Sequence, residues 1–404
     1  MKLRIVLASA LCASMFFTAN AQQRGISYYV NTDATYINTK VSNVIAQPDN
    51  SLLVVSKCSD LRYRNHAIQL IGMNKEGVRT LERLYPVENL YDVVGATTSA
   101  DGKVSVFSSI ETDKLENYTL QLSASLNKLG EVTGAHESSF ILISTYKKND
   151  NQILQLVTET SKGENCITLA CVDATGNQLW IKKVSSETNE SADAMVVDAK
   201  GDVIIAGKKY SDTRANEYVP VIYKTTADGT VLWKKSGFDM PANFYTQSIT
   251  VNPQGEIFHI CHAKNAVGTS QTKVSRLNPN GDVRSSSSIN DFSANGIIWL
   301  SSKKLLLFGS CFYVDARQVV TKGSYVILDE QLSVQTHKTL ESSDKPDSDF
   351  DYNFTSSSDL QAAVEMKNGS IALVGKVFMP RVNEKSEKIN NTILIVADAY
   401  GNYK

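Results

Sequence analysis

The densest run of potential metal ligands in the chain is acidic: Asp344, Asp347, Asp349 and Asp351, followed by Asn353. In Asp347-Ser348-Asp349-Phe350-Asp351-Tyr352-Asn353 the oxygen-bearing side chains take the one, three, five, seven spacing of a calcium loop. Calcium is a hard ion that takes about six to eight oxygen ligands from a short wrapped segment, so Asp347, Asp349 and Asp351 are the calcium candidates. Tyr352 stands where the EF-hand loop has its glycine, and Ser358 where it has its bidentate glutamate; a solvated acidic loop is the competing reading. His259 and Cys261 share one face of an apolar strand, with His262 on the other. Zinc needs three or four converging ligands and one strand supplies two at best, so the pair is expected to be packed core. For catalysis the chain offers no Gly-x-Ser-x-Gly elbow, no His-Glu-x-x-His, and no glycine loop ahead of a helix to cradle phosphate. Carboxylate pairs of the kind that cleave glycosides can be assembled from many segments and the sequence singles out none, so no catalytic residue is assigned. What remains is a set of tyrosines and arginines in polar segments: Arg62, Tyr63, Arg64, Tyr210, Arg214, Tyr218, Tyr313, Arg317, Tyr352 and Arg381. These types combine large contact area with polar handles and are enriched at protein interfaces and sugar sites.

A repeat carries these residues. Asp173-Ala174-Thr175-Gly176-Asn177-Gln178-Leu179-Trp180 returns as Thr226-Ala227-Asp228-Gly229-Thr230-Val231-Leu232-Trp233. Further copies end in Gly77, Gly130, Gly281 and Gly401, and a glycine-less copy runs Asp329-Glu330-Gln331-Leu332. The aspartates of this position, such as Asp173, Asp329 and Asp398, are expected to bond their own turn's backbone. A second turn precedes each copy, at Asp49-Asn50, Asp101-Gly102, Asp150-Asn151, Lys200-Gly201, Gln254-Gly255, Lys303-Lys304 and Asn368-Gly369. Turns of this type join antiparallel strands and favour glycine or asparagine because φ is positive there.

Six residues after that turn the side chain is small, at Ser56, Ser108, Gly207, Cys261, Gly309 and Gly375, with Val157 the exception. The residues between are apolar, which suits a strand buried on both faces, and the small residue is expected to let neighbouring sheets approach. Four strands in about 50 residues is the size of a propeller blade, and helical periodicity is absent. The expected fold is therefore all-β, a single seven-bladed β-propeller with four antiparallel strands per blade, at about 37–85, 86–137, 138–188, 189–241, 242–291, 292–355 and 356–404. The last blade has no chain for a fourth strand after Gly401, while Ile26-Ser27-Tyr28-Tyr29-Val30 has strand character and belongs to no blade. Placed there, residues 26–30 close the ring and remove an exposed edge. Strand order puts the tight turns on one face and the longer connections on the other: Ser59 to His66, Ile110 to Asn117, Tyr210 to Tyr218, Val314 to Lys322, Met379 to Asn390 and the insertion Glu341 to Ser358. Loops on a rigid scaffold are where binding groups concentrate, which makes that face the expected ligand-binding face.

The Asp-x-x-Gly-x-x-x-Trp turn, followed about two dozen residues later by an Asp-x-x-Gly-Asp hairpin, resembles the exported bacterial β-propeller repeats of the SBBP and delta-60 type. The resemblance covers Asp173 to Trp180, Asp198 to Gly207 and Asp228 to Trp233, and the other blades through their turns. It implies a propeller and an extracytoplasmic address, and no particular reaction. The pyrroloquinoline-quinone propeller repeat is similar in its Asp-x-x-Thr-Gly-x-x-x-Trp element. Here Leu81, Gly134, Ser285 and Thr336 replace the tryptophan outside Trp180 and Trp233, and no adjacent cysteine pair exists, so no quinone or other cofactor is expected.

Lys2 and Arg4 precede the apolar run Ile5 to Phe17 and then Ala19-Asn20-Ala21, the pattern of a signal peptide over residues 1–21. Leu11 and Ser9 occupy the positions before Cys12 where a lipoprotein signal has a small residue and a leucine, so no lipid anchor is expected, and no later run is long enough to span a membrane. The mature chain is then exported, to the periplasm or beyond. Without Lys2 and Arg4 it has 39 basic and 42 acidic residues, a formal charge of −3, which recruits neither nucleic acid nor anionic lipid. Five cysteines remain, and Cys58, Cys166, Cys171, Cys261 and Cys311 read as small core hydrophobes. The functional expectation is a non-enzymatic binding module for a protein or glycan at the cell envelope. The alternatives are a structural part of an envelope assembly and a polysaccharide hydrolase or lyase.

Overall fold

The structure, a computed structural model, describes residues 26–29, 36, 38–60, 62–134, 138–185, 187–210, 218–238, 244–264, 270–315, 318–340, 357–380 and 388–403. Their strands form seven four-stranded antiparallel sheets. The first strands of successive sheets, Asn38–Ala46, Leu90–Thr98, Ser139–Asn149, Glu190–Val197, Tyr245–Val251, Phe292–Trp299 and Ser358–Glu365, touch one another in a closed circle, the last meeting the first. The chain is thus a seven-bladed β-propeller with these strands innermost. In the seventh blade the fourth place is taken by Ile26–Tyr29, antiparallel to Lys388–Ala397, with Ile26 opposite Ile395 and Tyr29 opposite Thr392. Tyr403 bridges Ala397, so the N-terminal strand takes over the pairing two residues further along. The closure expected from the unassigned N-terminal segment is the one observed.

The apolar core is divided among the seven spaces between neighbouring blades. Leu53, Val55, Leu70, Leu90, Val106 and Leu120 fill the space between blades 1 and 2. The ring-closing space between blades 7 and 1 holds Val44, Leu52, Val54, Ile71, Val374 and Leu394. Each fully buried aliphatic side chain contributes about 1.5–3 kcal/mol, so each blade shares its main burial with both neighbours. The five described cysteines are free thiols. Cys171 and Cys311 are buried in these spaces, Cys58 and Cys261 are buried within their own blades, and Cys166, expected in the core, is only half-buried; burial pushes the Cys58 thiol up to about 12.

The outer turns behave as their aspartates predict. The Oδ1 atoms of Asp173, Asp329 and Asp398 each accept two backbone N–H groups, from residues two and four further on, at 2.8–3.0 Å. Three turns depart from the sequence reading; in blade 6 the positive φ falls on Lys303, so the turn is Ser302-Lys303 and not Lys303-Lys304. In blade 2 the turn is Ser123 to Asn127, with Leu126 at φ 59°, and Gly130 lies inside the strand Lys128–Gly134. The shift is explained by Ser123, whose hydroxyl accepts the Asn127 N–H at 3.0 Å in place of an aspartate, and by burial of the Leu126 side chain between blades 1 and 2. The Asp150-Asn151 hairpin is closed without a positive φ, and a local register shift between Lys147 and Asn149 absorbs its geometry. Two expected loops are also shorter: the strands extend to Glu111 opposite Leu115 and to Asp315 opposite Gln318.

Every innermost strand carries an extra residue, a β-bulge, at the same place, and those of blades 2 and 3 have a second elsewhere, at Tyr91 and Lys148. The extra residues at the shared place are Ser42, Val94, Ile143, Asp193, Gln247, Asn295 and Gln361. Opposite the residue before each bulge stands the small residue of the second strand: Ser56, Ser108, Val157, Gly207, Cys261, Gly309 or Gly375. This corrects the expected role of that position. A Cβ on Gly309 would lie 1.9 Å from the Ser293 carbonyl oxygen, on Gly375 2.0 Å from that of Asp359, and on Gly207 2.2 Å from that of Ser191. The space left by the small residue is filled chiefly by the bulged backbone of its own blade, although Ile167 Cδ1 of blade 3 also comes within 3.2 Å at Gly207.

A bulge leaves backbone groups without a ladder partner, and the preceding blade supplies one. The Ala192 N–H donates to Thr158 Oγ1 at 3.0 Å, Ala294 N–H to Thr272 Oγ1 at 3.0 Å, Leu142 N–H to Ser109 Oγ at 3.3 Å and Val41 N–H to Gln361 Oε1 at 2.9 Å. Replacing Thr158 by valine keeps the shape and strands a buried donor, so denaturant melts should show a loss of about 1–3 kcal/mol. Gly309→Ala forces backbone apart and should lower stability by about 1–3 kcal/mol or more. Gly201→Ala, with open space around it and φ +85°, should lose only about 1 kcal/mol. Equal losses at Gly309 and Gly201 would contradict the bulge as the reason for the glycine.

Candidate functional site

A bulge re-aims the side chain of its extra residue, and in a ring of innermost strands the new direction is the axis. Ser42, Val94, Ile143, Gln247, Asn295 and Gln361 line an axial cavity of about 430 Å³, with Lys40, Tyr91, Asp92, Ile141 and Asp359 among the other lining residues. Lys40, Tyr91 and Asp92 precede the shared bulge of their strands and lie toward the face of the longer connections, from which each innermost strand starts. Lys40 and Asp92 close an ion pair at 2.6 Å. Asp359 is the most enclosed acid of the cavity. Asn295 Nδ2 donates to its Oδ1 at 2.7 Å and to the Leu360 carbonyl at 2.8 Å, and Gln361 Nε2 donates to its Oδ2 at 3.3 Å. Burial raises the Asp359 carboxyl above the usual carboxylate range, against the opposing pull of Lys376 and of bonds from Asn295, Ser310 and Gln361.

The seventh bulge residue, Asp193, pairs with Lys208 at 3.0 Å, and its Oδ2 is buried without a hydrogen-bond partner among the described residues. Beside it runs a row of rings across blades 4 and 5: Tyr210 to Tyr218 at 6.3 Å, Tyr218 to Tyr245 at 5.9 Å and Tyr245 to His262 at 5.2 Å, all edge to face. Tyr210 and Tyr218, singled out in the sequence, are brought together here; Tyr245 and His262 join them without having been singled out for it. His259 and Cys261 are the packed pair expected of them: the Thr246 hydroxyl donates to the Gly207 carbonyl at 2.8 Å and meets His259 Nε2 at 3.0 Å, which makes Nε2 the protonated nitrogen. Burial depresses His259 to about 3.

Arg62, Tyr63 and Arg64 sit on the second-to-third-strand loop of blade 1, three blades from the tyrosine row. Asp60 Oδ1 accepts the N–H groups of Arg62 at 3.1 Å and Arg64 at 2.8 Å, and Asp60 Oδ2 accepts Asn65 Nδ2 at 2.8 Å. Tyr63 is held at φ 54° with 66% of its surface exposed. Tyr313 falls on the strand Leu305–Asp315. Arg214, Arg317, Arg381, Tyr352 and the calcium candidates Asp347, Asp349 and Asp351 lie outside the described residues. Among the described residues no cluster of histidine, cysteine and carboxylate side chains is suited to a metal ion, and no helix is long and apolar enough to cross a membrane.

Two further hollows open on the tight-turn face, of about 470 and 460 Å³. Three of their acids are held in ion pairs: Asp101 to Lys103 at 2.7 Å, Asp150 to Lys147 at 2.6 Å, and Glu256 to Arg276 and Arg284 at 2.7 and 2.9 Å. The axial lining was missed in the sequence because alternation fails at a bulge. A signal exists nonetheless, since each bulge residue stands eight positions before the second residue of its blade's first turn, from Ser42 and Asn50 to Gln361 and Gly369, once the blade 6 turn is taken at Ser302-Lys303, eight positions after Asn295.

Burial pushes the Asp193 carboxyl up to about 6, against the opposing pull of Lys208. Its folded value lies above the unfolded one, so the folded state holds the extra proton and this group's share of stability falls as pH rises from about 4 to 6. Subtracting the pH–stability curve of Asp193→Asn from that of the wild type should leave a decline confined to this window. A flat difference would show the carboxyl to be unperturbed.

No family model matches the sequence, and no curated protein matches it. Solved structures do resemble it in fold. The β-propeller domain of the Trilobed protease from Pyrococcus furiosus aligns over 86% of this chain and 95% of that one, with 11% identity and a TM-score of 0.45. The alpha-L-arabinanase of Penicillium chrysogenum aligns over 93% of this chain and 97% of that one, with 6% identity and a TM-score of 0.47. Prolyl oligopeptidase B from Galerina marginata aligns over 88% of this chain and 52% of its own, with 10% identity and a TM-score of 0.47.

Proposed function

We propose that this propeller is an exported, non-enzymatic binding module that engages a protein or glycan partner at the cell envelope through the face of its longer connections. The export half of the reading rests on the leader-like pattern Lys2, Arg4, Ile5 to Phe17 and Ala19-Asn20-Ala21. The observation that carries the binding half is the Asp60 turn. It presents an exposed tyrosine between two exposed arginines, and three hydrogen bonds to one carboxylate fix its shape before any partner arrives. A left-handed backbone at a bulky residue is unfavourable by about 1–3 kcal/mol and persists where the surroundings enforce it. Aromatic and arginine side chains ordered in advance lose less entropy on association than mobile ones do.

The test is capture of envelope protein and glycan fractions on immobilised protein, read as dissociation constant for whatever binds. Tyr63→Ala should weaken binding tenfold or more without altering the melting temperature, because the side chain is exposed. Asp60→Ala should weaken it less, by releasing the loop. Binding that is unchanged in a triple Arg62→Ala, Tyr63→Ala, Arg64→Ala variant would sink this assignment of the face.

A further inference from the structure

We infer that the axial cavity receives one apolar side chain on an uncharged stretch of peptide, a ligand that the Asp60 loop does not specify and that stands if that loop binds nothing. The lining is divided by blade. Blades 2 and 3 contribute an aliphatic wall of Val94, Ile141 and Ile143, all half-buried and facing the axis. Blades 5 to 7 and blade 1 contribute Gln247, Asn295, Gln361 and Ser42 across from it. One of these polar groups is both accessible and unused: the Gln247 side chain makes no hydrogen bond among the described residues, whereas Ser42 Oγ, also without a partner among them, is buried out of a ligand's reach.

The charges of the residues that line the cavity are already compensated. Lys40 is paired with Asp92, and Asp359 takes amide donors from Asn295 and Gln361 with Lys376 nearby. A charged ligand would find no free counter-charge, so the cavity selects a neutral one. Among neutral ligands, a sugar ring spreads hydroxyls around its whole edge. Those turned to Val94, Ile141 and Ile143 would lose water and gain no partner. Aromatic faces, which offer a pyranose a better platform, are represented in the lining by Tyr91 at the mouth. A peptide residue separates the two needs: its side chain covers the aliphatic wall, and its backbone N–H and C=O meet an amide that offers both a donor and an acceptor. The volume of about 430 Å³ is at the small end of the roughly 300–1,000 Å³ of ligand pockets, which suits a few residues and excludes a folded element.

Saturation-transfer NMR on the full chain tests this with four probes: the N-acetyl amides of isoleucine, phenylalanine and serine, and N-acetylglucosamine. The isoleucine and phenylalanine probes should receive transfer at least fivefold above the serine probe and the sugar, strongest at their side-chain protons. Ile143→Gln should reduce that transfer fivefold or more. Val94→Thr, which keeps shape and removes only apolar character, should reduce it at least twofold in a protein that melts as the wild type does, and so guards against a misfolded Ile143 variant. Gln247→Ala should weaken the isoleucine probe's apparent dissociation constant about tenfold. Transfer to the sugar above the peptides, equal transfer to serine and isoleucine, no transfer to any probe, or signals unchanged in a folded Val94→Thr would each overturn the assignment.

Discussion

The propeller depends on a single recurrent strain at its centre, the bulge in each innermost strand. A bulge bends a strand and sharpens its twist, and it occurs at one equivalent place in all seven blades. It frees a backbone N–H inside a dry ring, where an unmatched donor is unfavourable by about 1–3 kcal/mol. The donor is met from the blade before, by Ser109, Thr158, Thr272 or Gln361 in four of the blades. The bond from Gln361 to Val41 crosses the junction between the last blade and the first. One local irregularity therefore fixes the curvature of the blade, the size of the residue opposite, and part of the attachment of each blade to the next.

The outer turns follow a different economy of forces. Most take glycine where φ is positive, but Leu126 and Leu332 hold the same conformation at φ 59° and 66°. Both are buried in the space between neighbouring blades. Burial of a leucine contributes about 1.5–3 kcal/mol, enough to offset the roughly 1–2 kcal/mol of a left-handed residue. At other turns there is no room for that exchange: a Cβ on Gly281 would meet Trp233 at 2.9 Å, and one on Gly176 would meet Thr119 at 2.7 Å. The tryptophan at the end of one blade's repeat thus helps to dictate the glycine of the next blade's turn.

This contrast explains what could be read in the sequence. Turn chemistry is local, so Asp173, Asp198, Asp329 and Asp398 disclosed the period, and the period disclosed the number of blades and the strand that closes them. Even there a local competitor won once, when Ser123 and a buried Leu126 drew the blade 2 turn four residues ahead of Gly130. The axial residues were hidden for the opposite reason. Alternation is the rule by which a strand's faces are read, and an extra residue inverts it halfway along, so Gln247 and Asn295 look no different from ordinary strand positions. Tyr245 and His262 were hidden because they meet across strands, 17 residues apart in the chain, and because Tyr218, 27 residues before Tyr245, comes from the adjacent blade.

The bulge also separates the residues that build the ring from those that furnish it. The residue just before each bulge is packed against its own blade and its neighbour, and Val41, Val93, Leu142, Ala192, Thr246, Ala294 and Leu360 are each at most 3% exposed. Six of the seven are apolar, as packing requires. The bulge residue has no ladder partner, and in six of the seven blades it borders the axial cavity, so its type varies more: serine, valine, isoleucine, aspartate, glutamine, asparagine and glutamine in turn, even though Val94 and Ile143 also pack against the core between blades and Gln361 also bonds the next blade. Sevenfold repetition of the backbone is thereby compatible with an axis that is aliphatic on one side and polar on the other. An asymmetric lining inside a symmetric ring is what allows a propeller to hold a ligand in one orientation, and here the asymmetry is introduced at the positions where the fold least restricts it.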